Sequence, residues 1–123
     1  MTKGRILIVD DDEVVTGMLS EMLTTEAYVV KTCTRGDEVI PVCEQFRPSA
    51  VLLDIFIGTT NGLTLLQEIK ELSWPTAVIM MTGLAEVSVA VESMKKGAFD
   101  FISKPFEGDH LIALLERLSN TSE

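Results

Sequence analysis

Carboxylates follow two aliphatic segments of the sequence, where a strand or turn has no structural need for them. The run "RILIVDDDEVV" ends in Asp10, Asp11 and Asp12, so that three like charges are crowded together. "AVLLDIFI" carries one carboxylate, Asp54, in apolar surroundings. Asp12 is best interpreted as the N-cap of a helix. Oxygen ligands without a histidine or thiolate partner suit Mg²⁺ or the similar Mn²⁺, and we expect Asp10, Asp11 and Asp54 to bind such an ion.

A hydroxyl and an ammonium group follow two further aliphatic segments. Thr82 ends "AVIMMT", and Lys104 ends "FDFISK". Lys104 would balance the charge that a bound phosphoryl group brings, and Thr82 would donate a hydrogen bond to it. An ionised Asp54 is a suitable nucleophile toward phosphorus and would form an aspartyl phosphate. The chemistry that these residue types favour is therefore phosphoryl transfer.

The elements that must position these side chains alternate along the chain. Five short, near-continuous apolar runs are typical of parallel strands that are covered on both faces: "RILIVD", "YVVKTC", "AVLLD", "AVIMMT" and "FDFISK". Helical patterns lie between them, and the connecting segments are short. The sequence predicts an α/β fold, a doubly wound five-stranded parallel sheet with five helices. In such sheets the ligand crevice lies outside the carboxyl ends of the strands, so the polar side chains should converge there.

Each predicted helix has an apolar stripe that we expect to face the sheet. The five stripes are Val14, Val15, Met18, Leu19, Met22 and Leu23; Val39, Val42, Cys43 and Phe46; Leu65, Leu66, Ile69 and Leu72; Val87, Ala90, Val91 and Met94; and Leu111, Ile112, Leu114, Leu115 and Leu118. "KKG" should end the fourth helix. Pro41 should kink the second helix or lie in its first turn. Val89 lies off its stripe and is expected on a contact surface.

The length, net charge, apolar stretches and cysteines of the chain limit the class of protein to which it can belong. At 123 residues, the chain suits a single domain over 1–123, with residues 1–4 and 119–123 frayed. Its net charge of −9 argues against direct nucleic-acid binding. No apolar stretch approaches the ~20 residues of a membrane span, and no signal peptide is recognisable, so we expect a cytoplasmic protein without a membrane partner. The two cysteines, Cys33 and Cys43, are expected to be reduced thiols.

Taken together, these motifs resemble the receiver domain of two-component response regulators over essentially the whole chain. The resemblance rests on the acidic pair after the first strand, the lone aspartate, the threonine, the aromatic and the "KP" pair: Asp10, Asp11, Asp54, Thr82, Phe101, Lys104 and Pro105. "TGLAEVSVAVESMKKGAFDFISKPF" is especially close to receivers of enhancer-binding transcriptional activators. The resemblance implies a flavodoxin-like architecture.

Site roles follow from this resemblance residue by residue. Asp54 would accept the phosphoryl group, and the backbone carbonyl of Phe56 would be a further metal ligand. Thr82 and Phe101 would form the switch that reports phosphorylation. The peptide bond between Lys104 and Pro105 would be cis.

Partners are implied as well. A histidine kinase or phosphotransfer protein would supply the phosphoryl group. A homodimer contact or an effector domain would use the face made by the fourth helix, fifth strand and fifth helix.

Two features depart from the family's common pattern. The loop after Asp54 reads "IFIGTTNG", with Gly58 in place of the usual proline, and we expect a more mobile loop there. Phe56 and Leu84 occupy variable positions that flank the phosphoryl group. Neither side chain can hold an attacking water by a hydrogen bond, which predicts a long-lived phosphoryl state.

Other functions remain open at this point. In haloacid-dehalogenase-like phosphatases an aspartate nucleophile begins a D-x-D-x-[T/V] motif, which Asp10, Asp12 and Val14 match. Such an enzyme would carry the phosphoryl group on Asp10 and leave Asp54 without a role. An interaction module of receiver shape that is never phosphorylated is a further alternative, although the acidic and lysine positions are all present.

Overall fold

The computed structural model describes residues 3–83, 87–104 and 107–121, without the side chains of residues 87 and 119–121. Seven strands are present in these ranges: β1 (Arg5–Val9), β2 (Val29–Cys33), β3 (Ala50–Asp54), β4 (Phe56–Ile57), β5 (Thr60–Asn61), β6 (Ala77–Gly83) and β7 (Asp100–Lys104). The described helices are α1 (Glu13–Thr25), α2 (Val39–Phe46), α3 (Gly62–Lys70), α4 (Val87–Lys95) and α5 (Gly108–Thr121). The helix α5 thus includes residues 119–121 of the tail that we expected to fray.

The main sheet is parallel throughout and has the strand order β2-β1-β3-β6-β7. Its β1 pairs with β2 on one side and with β3 on the other, so the winding direction of the chain reverses between β1 and β3. A reversal of this kind opens a crevice at the carboxyl ends of the two strands. The predicted α/β fold is confirmed, and it places the ends of β1 and β3 beside each other.

Side-chain alternation along the strands produces two cores, one on each face of the sheet. In β1, Ile6 and Ile8 pack with α1 and α5, whereas Leu7 and Val9 pack with α2 and α3. All four side chains are nearly inaccessible to solvent. Burial on both faces explains why β1, β3 and β6 read as continuous aliphatic runs rather than as alternating patterns, whereas β2 is mostly exposed.

Local sequence signals determine several helix ends. Asp12 caps α1 by accepting hydrogen bonds from the N–H groups of Val14 and Val15, at 3.0 and 3.4 Å. Pro41 lies in the first turn of α2, where a missing N–H is tolerated. After α4, Gly97 has a φ of +103°, and its N–H bonds to the carbonyl of Met94.

Two of the predicted helix stripes were partly wrong. On α1, Val14 and Met18 are 73 % and 65 % exposed, because the core contacts of this helix come mainly from Leu19 and Leu23. Both exposed residues lie on the first two turns, beside the acidic end of the sheet.

The fourth helix also faces the sheet differently from its predicted stripe. Val91 and Met94 are half-exposed, whereas Ala90 and Ser93 are fully buried. The buried Ser93 hydroxyl donates to the carbonyl of Ala90 at 2.6 Å, which satisfies its polar group inside the helix. Val89 packs against the core, so its predicted place on a contact surface was wrong. Small residues therefore form the fully buried face, of which the predicted stripe included Ala90 but not Ser93.

A short hairpin occupies the loop after β3 and was not predicted. Phe56 pairs with Asn61 and Ile57 with Thr60 in antiparallel register, leaving Gly58 and Thr59 as the two-residue connection. Asn61 then caps α3 by accepting from the N–H of Leu63 at 2.8 Å. The segment that we expected to be a more mobile loop is thus a paired element in the structure.

Two remaining observations concern the class of protein. Cys33 and Cys43 are free and buried, as predicted, and burial raises their pKa values to about 11 and about 12. Within the described ranges, no helix combines the length and the apolar character needed to cross a membrane.

Candidate functional site

Charged side chains meet at the carboxyl ends of β1, β3 and β7. Asp10 follows β1 directly, Asp54 is the last residue of β3, and Lys104 is the last residue of β7. The parallel sheet brings them together although they are 94 residues apart at the extreme. This is the edge at which the sequence analysis expected the polar residues to converge.

An ammonium group joins two carboxylates, one buried and one partly exposed. Lys104 Nζ lies 2.7 Å from Asp10 Oδ2 and 3.2 Å from Asp54 Oδ2. The Asp10 side chain is 1 % exposed, that of Asp54 17 % and that of Lys104 29 %. Lys104 is therefore the positive partner that the crowded carboxylates require, and exposure decreases from the lysine toward Asp10.

The three consecutive aspartates have different partners. Asp10 also accepts a hydrogen bond from the N–H of Asp12 at 3.0 Å, through the oxygen that does not contact Lys104. Asp12 uses its own carboxylate to cap α1, which agrees with its predicted structural role. Asp11 is exposed and accepts from the N–H of Gly58 at 2.8 Å. Each carboxylate is held by at least one donor.

Burial makes the acceptor candidate easier to protonate. Burial and then the negative charge of Asp10 raise the pKa of Asp54 to about 6, although Lys104 lowers it through its charge and hydrogen bond. Burial lowers the pKa of Lys104, but its hydrogen bond to Asp10 and its attraction to Asp54 and Asp10 outweigh this, and the net shift is upward. Lys104 thus stays charged at neutral pH.

A cation site is compatible with the donor set. Oxygen atoms of Asp10, Asp11 and Asp54 lie within 4.8 Å of one another. Hard carboxylate oxygens at one edge, partly open to solvent, match the preference of Mg²⁺ for one or two carboxylates and retained waters. The three carboxylates therefore fit an ion of this kind.

Thr82 and Phe101 occupy neighbouring strands next to this cluster. Thr82 is 2 % exposed and lies opposite Ser103 in the register of β6 and β7. Gly83 lies opposite Lys104, so Thr82 is one register position from the lysine. Phe101 is half-buried and packs against the core formed with α2 and α3.

Of three further predicted positions, one lies in the hairpin and two fall outside the described residues. Phe56 is 54 % exposed in the hairpin, two residues beyond Asp54. Pro105, with the predicted cis peptide, and Leu84 lie outside the described residues.

Backbone groups at this edge were missed by the sequence analysis. A Cβ at Gly62 would collide with the backbone carbonyl oxygens of Asp54 and Ile55, and the Gly62 N–H donates to Ile55. Glycine is therefore required where α3 begins against the end of β3. The "NG" pair at the start of α3, with Asn61 as the cap and Gly62 as the first residue, was the available signal. The contact between Gly58 and Asp11 leaves no trace in side-chain patterns.

Comparison with known proteins agrees with this geometry. A family model for the response regulator receiver domain matches residues 6–116. The chain is 36 % identical over 118 residues to the DNA-binding transcriptional regulator NtrC of Proteus hauseri, covering 95 % of this chain and 25 % of that protein. It is also 36 % identical to the nitrogen assimilation regulatory protein NtrX of Azorhizobium caulinodans, covering 94 % of this chain and 26 % of the relative.

A solved structure has the same fold over its full length. The receiver domain of NtrX from Brucella abortus superposes with a TM-score of 0.89 at 34 % identity, covering 95 % of this chain and 99 % of that one. The present chain spans about a quarter of the length of the curated relatives it matches. These matches favour neither a haloacid-dehalogenase-like phosphatase nor an interaction module that is never phosphorylated. The chain belongs to the response regulator receiver domain family.

Proposed function

We propose that this receiver accepts a phosphoryl group on Asp54, from a histidine kinase or phosphotransfer protein, in a reaction that depends on Mg²⁺ or Mn²⁺. The observation that carries the proposal is the position of Asp54. Its carboxylate is partly exposed at the end of β3, paired with Lys104 and within 4.8 Å of the oxygens of Asp10 and Asp11. Asp10, by contrast, is 1 % exposed and is held through both of its oxygens, which makes it a poor nucleophile.

The proposed metal ligands are Asp10, Asp11 and Asp54, together with the backbone carbonyl of Phe56. When bound, the cation would neutralise charge on the carboxylates and on the phosphoryl oxygens. Its presence would also relieve the repulsion between Asp10 and Asp54, which contributes to the raised pKa of Asp54. Lys104 supplies the remaining positive charge from the other side of the cluster.

In the proposed transfer, an Asp54 oxygen attacks phosphorus and forms a P–O bond. The P–N bond to the donor histidine breaks, and the imidazole leaves with the bonding electron pair. The product is a mixed anhydride of the carboxylate and phosphate, which water later hydrolyses. Lys104 holds the acceptor carboxylate in place and stabilises negative charge on the transferred group, and such positioning and charge neutralisation account for most of phosphoryl-transfer catalysis.

The proposed switch is built from Thr82 and Phe101. Thr82 is one register position from Lys104, so a short movement of its hydroxyl toward the phosphoryl oxygens would be enough for a hydrogen bond. Space vacated by Thr82 would let Phe101 turn inward from its half-buried position. A homodimer partner or an effector domain would read the change on the face formed by α4, β7 and α5, and we propose that this takes place in the cytoplasm.

Labelling with a small donor tests the acceptor assignment. With Mg²⁺ and acetyl phosphate or phosphoramidate, we expect one phosphoryl group per chain on Asp54, and none after chelation of the metal. Asp54→Asn should abolish labelling, whereas Asp109→Asn, at an exposed position of α5, should label like the wild type. Full labelling of the Asp54→Asn variant would refute the proposal, and a label on Asp10 would support the phosphatase instead.

A further inference from the structure

One metal-ligand candidate is held by the hairpin rather than by the sheet. The carboxylate of Asp11 accepts a hydrogen bond from the N–H of Gly58 at 2.8 Å, across 47 residues of sequence. Asp11 itself is exposed, and within the described residues its side chain has no other hydrogen bond or ion pair. Without this donor the carboxylate would be free to sample several rotamers.

The backbone at Gly58 explains why this contact favours glycine and excludes proline. Gly58 has a φ of +61° and is the first of the two residues that connect β4 to β5. A type II′ hairpin turn requires positive φ at that position, and glycine adopts it without strain. Proline has a φ near −65° and no N–H, so it can form neither this turn nor this hydrogen bond. The proline that is usual at this place in the family pattern excludes the contact.

The contact leaves Asp11 able to bind a cation. The N–H of Gly58 occupies Oδ2, while an oxygen of Asp11 lies within 4.8 Å of oxygens from Asp10 and Asp54. A carboxylate has two oxygens and about four acceptor sites, so a single donor does not saturate it. Hydrogen-bond partners behind a ligand fix its orientation, and their loss typically costs about 10- to 100-fold in metal affinity.

We propose that the Gly58 N–H is a positioning group that orients Asp11 for the divalent cation and thereby couples the β4–β5 hairpin to metal binding. This inference rests on the proposed function, because it assumes that Asp11 is a metal ligand. The hairpin also carries Phe56, whose carbonyl is a proposed ligand. The Gly58 N–H and the Phe56 carbonyl would thus both couple cation binding to the ordering of the β4–β5 hairpin.

A backbone substitution tests the role without changing a side chain. Replacement of Gly58 by glycolic acid, through chemical ligation, converts the Ile57–Gly58 amide to an ester, which removes the N–H, leaves every side chain unchanged and makes the Ile57 carbonyl a weaker acceptor. We expect the Mg²⁺ affinity of the unphosphorylated protein, measured by titration calorimetry, to fall about 10- to 100-fold. Wild-type Mg²⁺ affinity in the ester protein would overturn the inference.

Two genetic variants provide a matched pair. Gly58→Pro removes the N–H and should lose affinity at least as strongly as the ester. Gly58→Asn keeps the N–H, and a Cβ at this position meets nothing within 4 Å, although the positive φ strains any residue with a side chain, asparagine less than most. The asparagine variant should therefore lose much less Mg²⁺ affinity than the proline variant. Equal losses in the asparagine and proline variants would show that turn strain, and not the donor, matters.

The test of this inference is independent of the test of the proposed function, because the two use different measurements. Mg²⁺ binding is measured on the unphosphorylated chain, whereas acceptor chemistry is measured by labelling of Asp54. A wild type that binds Mg²⁺ with the predicted dependence on Gly58 but carries no label on Asp54 would refute the proposed function and support this inference. Normal labelling of Asp54, together with unchanged Mg²⁺ affinity in the ester protein, would support the proposed function and refute this inference.

Discussion

At the scale of single residues, neighbouring groups of the same chemical type differ through their partners. Asp10, Asp11 and Asp12 are consecutive in sequence, yet one pairs with Lys104, one with the hairpin and one with the start of α1. Asp12 is distinguishable from the other two in the sequence, because N-caps have a local signature. The sequence predicted that Asp10, Asp54 and Lys104 would lie at the same edge of the sheet. It could not predict that Lys104 bridges the two carboxylates, because the distances between side chains depend on the tertiary fold.

Phe56 carries a prediction about the lifetime of the phosphoryl group. Its side chain is apolar and 54 % exposed near the acceptor, so it cannot hold an attacking water by a hydrogen bond. We expect Phe56→Asn to speed loss of the phosphoryl group by up to about 10²-fold, the low end of the contribution typical of positioned proton-transfer groups. The decay of phosphorylated protein after donor removal measures this.

A size control accompanies that measurement. Phe56→Leu shortens the side chain without adding a hydrogen-bonding group, and its decay rate should stay near that of the wild type. If leucine and asparagine accelerate decay equally, access of water rather than its orientation controls hydrolysis. A wild type whose phosphoryl group is lost within seconds would contradict the predicted long lifetime.

At the scale of elements, the strands were easier to predict than the helix faces. Strands covered on both faces must be aliphatic throughout, so β1, β3 and β6 are recognisable without knowing which side of the sheet a residue faces. To predict the buried residues of a helix, the side of the helix that faces the sheet must also be predicted. On α4 the predicted stripe included the buried Ala90 but missed the buried Ser93, because a search for apolar residues does not find a serine, and it wrongly included the half-exposed Val91 and Met94.

The two faces of α4 should respond differently to added volume. Ala90 is fully buried, so Ala90→Leu should overpack the interface with the sheet and destabilise the fold by about 1–3 kcal/mol. Val91 is half-exposed, so Val91→Leu should change the free energy of unfolding by less than about 0.5 kcal/mol. Urea denaturation of both variants measures the contrast. Similar losses in both would mean that α4 is rotated relative to the described orientation.

The hairpin of β4 and β5 shows a second limit of prediction at this scale. Each of its strands has two residues, too few for a periodic pattern, and its pairing depends on the turn at Gly58. The exchange of proline for glycine was visible in the sequence and indicated a different loop. It did not indicate that the glycine N–H would reach Asp11, because that contact joins the ends of two separate β-α units.

At the scale of the whole molecule, the ionised Asp54 carboxylate opposes folding when no cation is bound. The pKa of Asp54 is about 6 in the folded protein and about 3.9 in an unfolded chain. The folded state therefore binds this proton more tightly. The contribution of Asp54 to stability is fully present below about pH 4 and is lost as pH rises through 6. At pH 7, ionised Asp54 favours unfolding.

Removal of that charge should stabilise the protein in the absence of metal. In a chelating buffer at pH 7 we expect Asp54→Asn to raise the free energy of unfolding by about 1 kcal/mol. This is less than the shift in pKa implies at about 1.4 kcal/mol per unit, because the site is partly open and solvent screens the charges. At pH 4 the gain should largely disappear. Denaturant unfolding at both pH values measures it.

An exposed carboxylate provides the control for that comparison. Asp109→Asn removes the same charge from a solvent-exposed position of α5, and it should change stability by less than about 0.5 kcal/mol at either pH. An Asp54→Asn variant that is no more stable than the wild type at pH 7 would show that Lys104 fully compensates the buried charge.

Signalling requires the two ends of the proposed switch to be coupled through the sheet. Thr82 and Lys104 lie at the carboxyl ends of the neighbouring strands β6 and β7. The proposed output face is formed by α4, β7 and α5, at the end of the strand order. Phosphorylation adds about −1.5 to −2 charges at the edge. Moving a two-state equilibrium from 1:99 to 99:1 takes about 5.5 kcal/mol of differential interaction. One new hydrogen bond from Thr82 supplies only part of this, so we expect a partial shift without a partner.

Amide chemical shifts measure that partial shift directly. With Mg²⁺ and beryllofluoride, a phosphoryl mimic, we expect shift changes at Thr82, at Phe101 and along α4, β7 and α5, and averaged signals that move further when a partner domain is added. Thr82→Val removes the hydroxyl while nearly keeping its shape, so it should retain changes near Asp54 and lose those on the output face. Equal changes on that face in the Thr82→Val variant would mean that the signal leaves the site by a route other than Thr82.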